Sequence, residues 1–151
     1  MKTIFLDFDG VLHSISSNLN YPFNKVPILE QLVSKYSFDI VISSTWRFYY
    51  ELDDLKKRLN LLGERVKGVT GETFNGPFAR YNEIIEYVEK NNINDWRALD
   101  DSKQEFPDNE KHLIYCKPNI GIDIDQITEV VVDFKLHVYK ELQKKVKKII
   151  Q

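Results

Sequence analysis

Short apolar segments of strand-like composition alternate along this chain with segments whose apolar residues have helical spacing. Residues 3–8 are β-branched and aromatic, and residues 39–43 form a second segment of the same kind. Shorter apolar segments predict further strands at residues 66–70, 96–99 and 112–115. Alternating strands and helices favour a mostly parallel sheet with helices on both faces. The predicted fold class is therefore α/β, a Rossmann-like three-layer sandwich around a sheet of about five strands.

Four segments predict the helices of this sandwich. Two helices begin at Pro27 and Pro77, because proline suits the first helical turn, and the second of them ends at Asn91. An apolar face over residues 48–62 predicts one helix that Gly63 ends. The tail repeats apolar residues at intervals of four and predicts one long amphipathic helix, whose lysine-rich face is a candidate surface for RNA or a partner, although a solvated face is favoured. The apolar positions of the tail are Val130, Phe134, Val138, Leu142, Val146 and Ile150.

Length and composition predict a single soluble domain over residues 1–151, with a core at 1–125 and a C-terminal helix at 126–151. We expect that helix to pack on the core up to about residue 142. The basic residues beyond that point are expected to be less tightly packed. A net charge of −2 gives no overall attraction to nucleic acid or membrane, and no apolar run is long enough to span a bilayer. Its single cysteine excludes an internal disulfide, and the early acid Asp7 disfavours a signal peptide. We expect a cytoplasmic protein without membrane partners, and its oligomeric state stays open.

Two carboxylates end the first predicted strand. Asp7 and Asp9 are two residues apart, so their side chains point the same way in an extended chain. Like charges at that spacing repel and require a cation or a proton between them. Oxygen ligands beside a phosphate favour Mg²⁺ as that cation. The alternative is that one acid caps a turn and the other is solvated. The apolar strand before the pair and Gly10 after it favour the metal site.

Further candidates come from segments that are predicted to meet at the same edge of the sheet, where the carboxyl ends of parallel strands lie. Ser44 and Thr45 follow the second strand, where a hydroxyl or a backbone N–H can hold a phosphate oxygen. Arg47 either binds phosphate through its guanidinium group or is an ordinary surface arginine, and the two interpretations are evenly balanced. Trp46 could stack on a base or ring, but it is interpreted as a core aromatic. His13 could touch the substrate, but it is interpreted as an incidental loop histidine.

A basic residue and a second acidic pair complete the pattern. Arg80 lies near the start of a predicted helix, where it can neutralise a phosphate and a carboxylate together. The adjacent acids Asp100 and Asp101 follow the fourth strand and can complete a metal site with Asp7. Each element alone is common, but their agreement at one edge of the sheet indicates phosphate chemistry.

The four elements, in this order, resemble the four motifs of the haloacid-dehalogenase-like (HAD) superfamily over residues 1–125. The resemblance implies a Mg²⁺-dependent phosphatase in which Asp7 is the nucleophile and Asp9 the general acid/base. It also implies that the phosphoryl group is bound by the hydroxyl motif and the basic motif. The implied phosphate-site residues are Ser44 and Arg80, beside which Thr45 and Arg47 are further candidates for substrate binding. The implied metal ligands are Asp7, Asp9 through its backbone carbonyl, and Asp100 or Asp101.

The sequences of residues 6–13, 43–47 and 98–101 also resemble those of the small HAD domains associated with Swiss Army Knife RNA-repair proteins. This narrower resemblance implies a phosphorylated substrate such as an RNA or DNA end or a nucleotide. The segment at residues 14–26 is predicted as a loop or small flap and leaves no room for a large cap domain. An uncapped site is open, which favours bulky substrates.

Two other functions remain as alternatives to the phosphatase. A phospho-receiver domain also uses a strand-end aspartate and Mg²⁺. In that family the acid pair follows the first strand and the phosphorylated aspartate follows the third strand. In this chain the first strand carries Asp7 and Asp9, and the later acid pair follows the fourth strand. A non-catalytic binding module could keep the fold without turnover, although intact Asp7 and Asp9 argue against it. A magnesium-dependent assay with a generic aryl phosphate separates the enzyme from the binding module.

Overall fold

A computed structural model describes residues 2–16, 22–134 and 140–151. The strands are Lys2–Leu6 (β1), Phe38–Ile42 (β2), Val66–Val69 (β3), Asp95–Asp100 (β4) and Leu113–Tyr115 (β5). The α-helices are Val26–Lys35 (α1), Leu52–Arg58 (α2), Ala79–Lys90 (α3), Ile124–Asp133 (α4) and Lys140–Ile150 (α5). Short 3-10 helices lie at Thr45–Phe48, Asn60–Arg65 and Lys103–Glu105.

The described strands form one parallel sheet in the order β3-β2-β1-β4-β5. The central strand β1 pairs with β2 on one side and β4 on the other, so Leu6 lies between Ile42 and Leu99. The connection after β1 leads to β2 on one side of the sheet, whereas the connection after β4 leads to β5 on the other side, so the strand order reverses between β1 and β4. In open α/β sheets the ligand site lies at such a point, beyond the carboxyl ends of the strands.

Alternation along the strands divides the core into two layers. Ile4 and Leu6 of β1 belong to the larger apolar cluster, which includes buried residues of α1 and α4, whereas Phe5 belongs to a smaller cluster with Ile84 of α3. Successive strand residues point to opposite faces, so both faces of the sheet are covered by helices. The predicted three-layer α/β sandwich with a parallel five-stranded sheet is confirmed.

The prediction of one helix over residues 48–62 is wrong. The helix α2 ends at Arg58, and Asn60 has a positive φ of 53°, which is incompatible with a continuing right-handed helix. Gly63 lies in the following 3-10 helix, where a Cβ would come 2.1 Å from the carbonyl oxygen of Lys56. This glycine therefore allows the chain to fold back on α2 and does not end a longer helix.

The prediction of one continuous tail helix is also wrong among the described residues. Cα atoms of α4 and α5 approach within 8 Å of one another. In one straight helix, residues 133 and 140 would be about 10.5 Å apart. The end of α5 is not free either, because Val146 is fully buried in the larger cluster. Val138 lies outside the described residues, as do residues 17–21 of the predicted loop.

The remaining boundaries differ little from the prediction. The helix α3 begins at Ala79, two residues after Pro77, because Phe78 takes a left-handed conformation with a φ of 59°. Residues 66–70 form β3 as predicted, apart from the last residue. Of the helices in the described part of the chain, none is both long and apolar enough to cross a membrane.

Candidate active site

The candidate residues meet at the carboxyl edge of the sheet because backbone pairing continues one residue past the strands. The N–H of Asp7 donates to the carbonyl of Leu99 at 3.1 Å, and the N–H of Ser43 donates to the carbonyl of Leu6 at 3.0 Å. These bonds hold the end of β1 between the ends of β2 and β4. The residues just beyond these three strands are thus fixed by the sheet itself.

Three carboxylates form a compact cluster at this edge. Asp7, Asp100 and Asp101 each offer an oxygen, and these oxygens lie within 4.8 Å of one another. Burial raises the pKa of Asp7 well above its usual value, the neighbouring Asp100 raises it further, and Arg80 opposes the shift. Burial also raises the pKa of Asp100, against the opposing effect of Arg80. The cluster is therefore short of positive charge, and an added cation would favour its ionised form.

Arg80 supplies one positive charge from the first turn of α3. Its Nη1 lies 3.3 Å from Asp7 Oδ2 and donates to both oxygens of Asp100, at 3.1 and 2.9 Å. Burial alone would lower the pKa of Arg80, but Asp100 and Asp7 outweigh burial and raise it. The guanidinium thus stays charged beside the two carboxylates, where it can also attract a phosphate.

Gly10 is required by the close approach of Asp101. Its φ is +75°, a conformation that favours glycine, and a Cβ there would lie 2.2 Å from Asp101 Oδ2. The glycine after the Asp-X-Asp pair therefore lets the two acidic motifs come together.

Asp9 is separate from the cluster and has its own two hydrogen-bond donors. Its side chain is 52% exposed, its Oδ1 lies 2.7 Å from His13 Nε2, and its Oδ2 accepts from Trp46 Nε1 at 3.2 Å. The backbone N–H of Phe23 points at His13 Nδ1 at 3.2 Å. That N–H can only donate, so Nδ1 carries no proton in this arrangement and the ring proton is on Nε2, which donates to Asp9.

The hydroxyl motif lies just beyond the end of β2. Ser44 is fully buried, and its Oγ accepts from the N–H of Trp46 at 3.2 Å, so it caps the 3-10 helix at Thr45–Phe48. Thr45 lines a cavity of about 480 Å³ that Arg80 and Arg47 also line. The structure thus places Ser44 in the buried cap of this 3-10 helix and Thr45 at the cavity beside Arg80.

Arg47 contacts the protein through its whole guanidinium group. It donates to the carbonyls of Ser43, Ser44, Thr70 and Gly71 and to Glu83 Oε2, the last at 2.7 Å. Burial lowers the pKa of Arg47, and Glu83 opposes that shift. Arg47 joins the ends of β2 and β3 to α3, so its described contacts are with the protein itself. Its binding of phosphate, one of two evenly balanced interpretations of the sequence, stays a prediction.

Sequence reasoning undervalued three residues here. His13 and Trp46 were interpreted as incidental or core residues, yet both contact the carboxylate of Asp9. The position of His13, four residues after Asp9, was the available signal. Glu83 had no signal, because its partner Arg47 is 36 residues away along the chain.

Comparisons with known proteins agree with the motifs. An RNA pyrophosphohydrolase of Pelagibacter ubique (strain HTCC1062) is 62% identical over 29 residues, which are 19% of this chain and 18% of that protein. The chain thus spans under a fifth of the length of that relative. No solved structure matches the chain. The family model described as the HAD domain in Swiss Army Knife RNA repair proteins matches residues 3–127. This chain belongs to that family of HAD domains, as its motifs predict.

Proposed function

We propose that this domain is a Mg²⁺-dependent phosphatase that hydrolyses a phosphomonoester through an aspartyl-phosphate on Asp7. The observation that carries the proposal is the buried carboxylate of Asp7, which lies against Arg80 while Asp9 is held apart by His13 and Trp46. One carboxylate is thus beside a cation that attracts phosphate, and the other is exposed and oriented for proton transfer. Nucleophilic catalysis with a separate acid/base needs two such different carboxylates.

The donor set fits Mg²⁺. Asp7, Asp100 and Asp101 supply carboxylate oxygens only, which is the ligand type that this ion prefers, and Arg80 supplies a single positive charge beside the three carboxylates. These three residues would hold the ion together with the backbone carbonyl of Asp9, as the family resemblance implies. When bound, Mg²⁺ screens the negative charges of the nucleophile and the phosphate.

The proposed reaction has two steps. In the first, an oxygen of Asp7 attacks phosphorus, the bond to the leaving oxygen breaks, and Asp9 gives that oxygen its proton. In the second, Asp9 takes a proton from water, the water oxygen attacks phosphorus, and inorganic phosphate leaves Asp7. Arg80 neutralises the phosphate oxygens, and Ser44 and Thr45 hold the phosphoryl group. We assign Arg47 to the support of this phosphate site.

The substrate class follows from the family and from the lack of space for a cap. The family is described by its occurrence in RNA repair proteins, and the partial relative is named for action on RNA. We propose phosphorylated RNA or DNA ends, or nucleotides, as substrates, and a cytoplasmic site of action. An open edge of the sheet suits a substrate whose reacting group is at the end of a long chain.

Asp7→Asn tests the proposal. The amide is a poor nucleophile, so we expect hydrolysis of an aryl phosphate in the presence of Mg²⁺ to fall by about a thousandfold or more. Acid quenching of the wild-type protein should trap phosphate on the protein, and Asp7→Asn should abolish this. The exposed Asp108→Asn is the matched control and should keep full activity.

Circular dichroism establishes that the Asp7→Asn protein is folded before its rate is interpreted. Appreciable turnover by the folded variant would contradict the assignment of Asp7. Wild-type protein with no hydrolysis of any phosphomonoester would favour the non-catalytic binding module.

A further inference from the structure

We propose that the cavity beside Arg80 binds a nucleobase, so that the site recognises the terminal nucleotide that carries the reacting phosphate. The proposal deepens the proposed function and rests on it for the position of that phosphate. The cavity volume of about 480 Å³ lies in the range of sites that bind small molecules. Thr45, Arg80 and Ser102 all line it, so it opens directly onto the candidate phosphate site.

Two exposed aromatic rings line this cavity. Phe48 is 47% exposed and Phe74 is 38% exposed, although phenylalanine is usually buried. The guanidinium carbon of Arg47 lies 4.2 Å from the centre of the Phe48 ring. Since Arg47 is itself fixed by backbone carbonyls, the position of this ring is fixed as well. Exposed aromatic faces of this kind stack on unpaired bases in proteins that bind single-stranded nucleic acids.

The polar lining of the cavity distinguishes a base from other aromatic groups. Asn75 and Gln104 contribute amides, which both donate and accept hydrogen bonds as base edges require. Glu72 and Glu105 contribute carboxylates, which accept from exocyclic amino groups and repel a second phosphate. The phenyl ring of a phosphotyrosine offers no donor to these carboxylates. The chemistry of the lining therefore favours a nucleobase over a phenol ring.

The base must be unpaired to reach this cavity. The aromatic rings and the amides need the face and the edge of the same base, and both are occupied in a duplex by stacking and pairing. The terminal nucleotide would therefore be recognised in a single-stranded or frayed end. The carboxylates of Glu72 and Glu105 disfavour a phosphate inside the cavity, so the phosphate lies at Arg80 and the base lies in the cavity.

Equilibrium binding tests this inference without turnover. Asp7→Asn protein is titrated by calorimetry with a nucleoside monophosphate, phosphorylated on the 5′ or 3′ hydroxyl, and with ribose 5-phosphate, which lacks the base. We expect the better nucleotide to bind roughly tenfold or more tightly than ribose 5-phosphate. Phe74→Ala, made in the same protein, should reduce that ratio to near one, and Phe48→Ala is the second variant. Tyr49→Ala is the control, because Tyr49 is 79% exposed and does not line the cavity.

Three outcomes would overturn the inference. Equal binding of the nucleotide and ribose 5-phosphate would show that no base is recognised. A preference that survives both phenylalanine substitutions would place the base elsewhere. If Phe74→Ala weakens the binding of phenyl phosphate as much as it weakens the binding of the nucleotide, the cavity accepts aromatic rings in general. Wild-type protein that hydrolyses nothing would overturn the phosphatase alone, since the binding ratios would still decide the inference.

Discussion

His13 determines how the carboxylate of Asp9 is held. The ring is buried, receives a hydrogen bond from the N–H of Phe23 and donates its proton to Asp9 Oδ1 at 2.7 Å. Trp46 donates to the other oxygen. Asp9 is thus fixed at both oxygens although its side chain is half exposed. An acid/base held in one orientation loses less entropy in the transition state than a free surface aspartate.

The substitutions His13→Leu and His13→Gln separate positioning from packing. Both fill similar space, but only the glutamine keeps an N–H that can reach Asp9. We expect His13→Leu to lower kcat/KM for an alkyl phosphate by about 10- to 100-fold and His13→Gln to restore much of it. The loss should be smaller for 4-nitrophenyl phosphate, since that leaving group departs without a proton. Equal losses for the two substrates would assign His13 to packing only.

Asp100 and Asp101 should behave unequally when either is changed to asparagine. The oxygens of Asp100 accept from Arg80 and from the N–H of Ser102 at 2.9 Å, whereas Asp101 packs against Gly10 at the open side of the cluster. We expect Asp101→Asn to raise the Mg²⁺ concentration for half-maximal activity by about tenfold or more. Asp100→Asn should raise the Mg²⁺ requirement less and should also raise KM, because it releases Arg80. If neither substitution alters the metal requirement, the second acidic motif is not part of the metal site.

Among the secondary-structure elements, the ends of β2 and β3 depend on Arg47. Its guanidinium group satisfies four backbone carbonyls and Glu83, so the loop that carries Ser44 is tied to α3. A lysine ammonium cannot reach that number of acceptors from one nitrogen. Removal of the guanidinium group leaves buried carbonyls and a buried carboxylate without a hydrogen-bond donor.

Arg47→Lys should therefore lower the free energy of unfolding by about 2–4 kcal/mol. It should also reduce phosphatase activity, because Ser44 loses its fixed position. Urea denaturation measures the first effect, and Arg58→Lys on the exposed side of α2 is the matched control. A variant with wild-type stability would show that the five hydrogen bonds contribute little.

The strands could be predicted from the sequence more reliably than the helices, for a physical reason. Strand positions follow from local apolar composition, and the polar residues after them follow from topology, so Asp7, Ser44 and Asp100 were expected at one edge. The helix over residues 48–62 failed because the left-handed conformation at Asn60 has no strong signal in composition. The role of Arg47 in supporting the phosphate site could not be predicted, because its partners Thr70 and Glu83 contact it only in the folded structure. The catalytic roles of these residues stay predictions.

For the whole domain, the tail completes the larger of the two core layers. The helix α4 contributes Ile127 and Val130 to that layer, and Phe134 follows directly after the helix. The helix α5 returns to pack on α1. Val146 is fully buried there, although it lies within the lysine-rich end of the chain. The basic side chains around it are exposed, so one face of α5 is solvated while the other is part of the core. The tail therefore stabilises the domain even if its lysines also bind RNA.

Removal of α5 should destabilise the domain without removing its chemistry. We expect Val146→Ala to lower the free energy of unfolding by about 1–3 kcal/mol, whereas Val132→Ala, at a site that is 63% exposed, should change it by less than about 0.5 kcal/mol. A chain that ends after Phe134 should lose more than Val146→Ala, because the apolar face of α1 is then exposed as well. At low temperature the shortened chain should still hydrolyse an aryl phosphate, since the described residues of α5 do not line the cavity at Arg80. Denaturant titration measures the stabilities, and equal stability of the shortened and complete chains would mean that α5 does not pack on the core in solution.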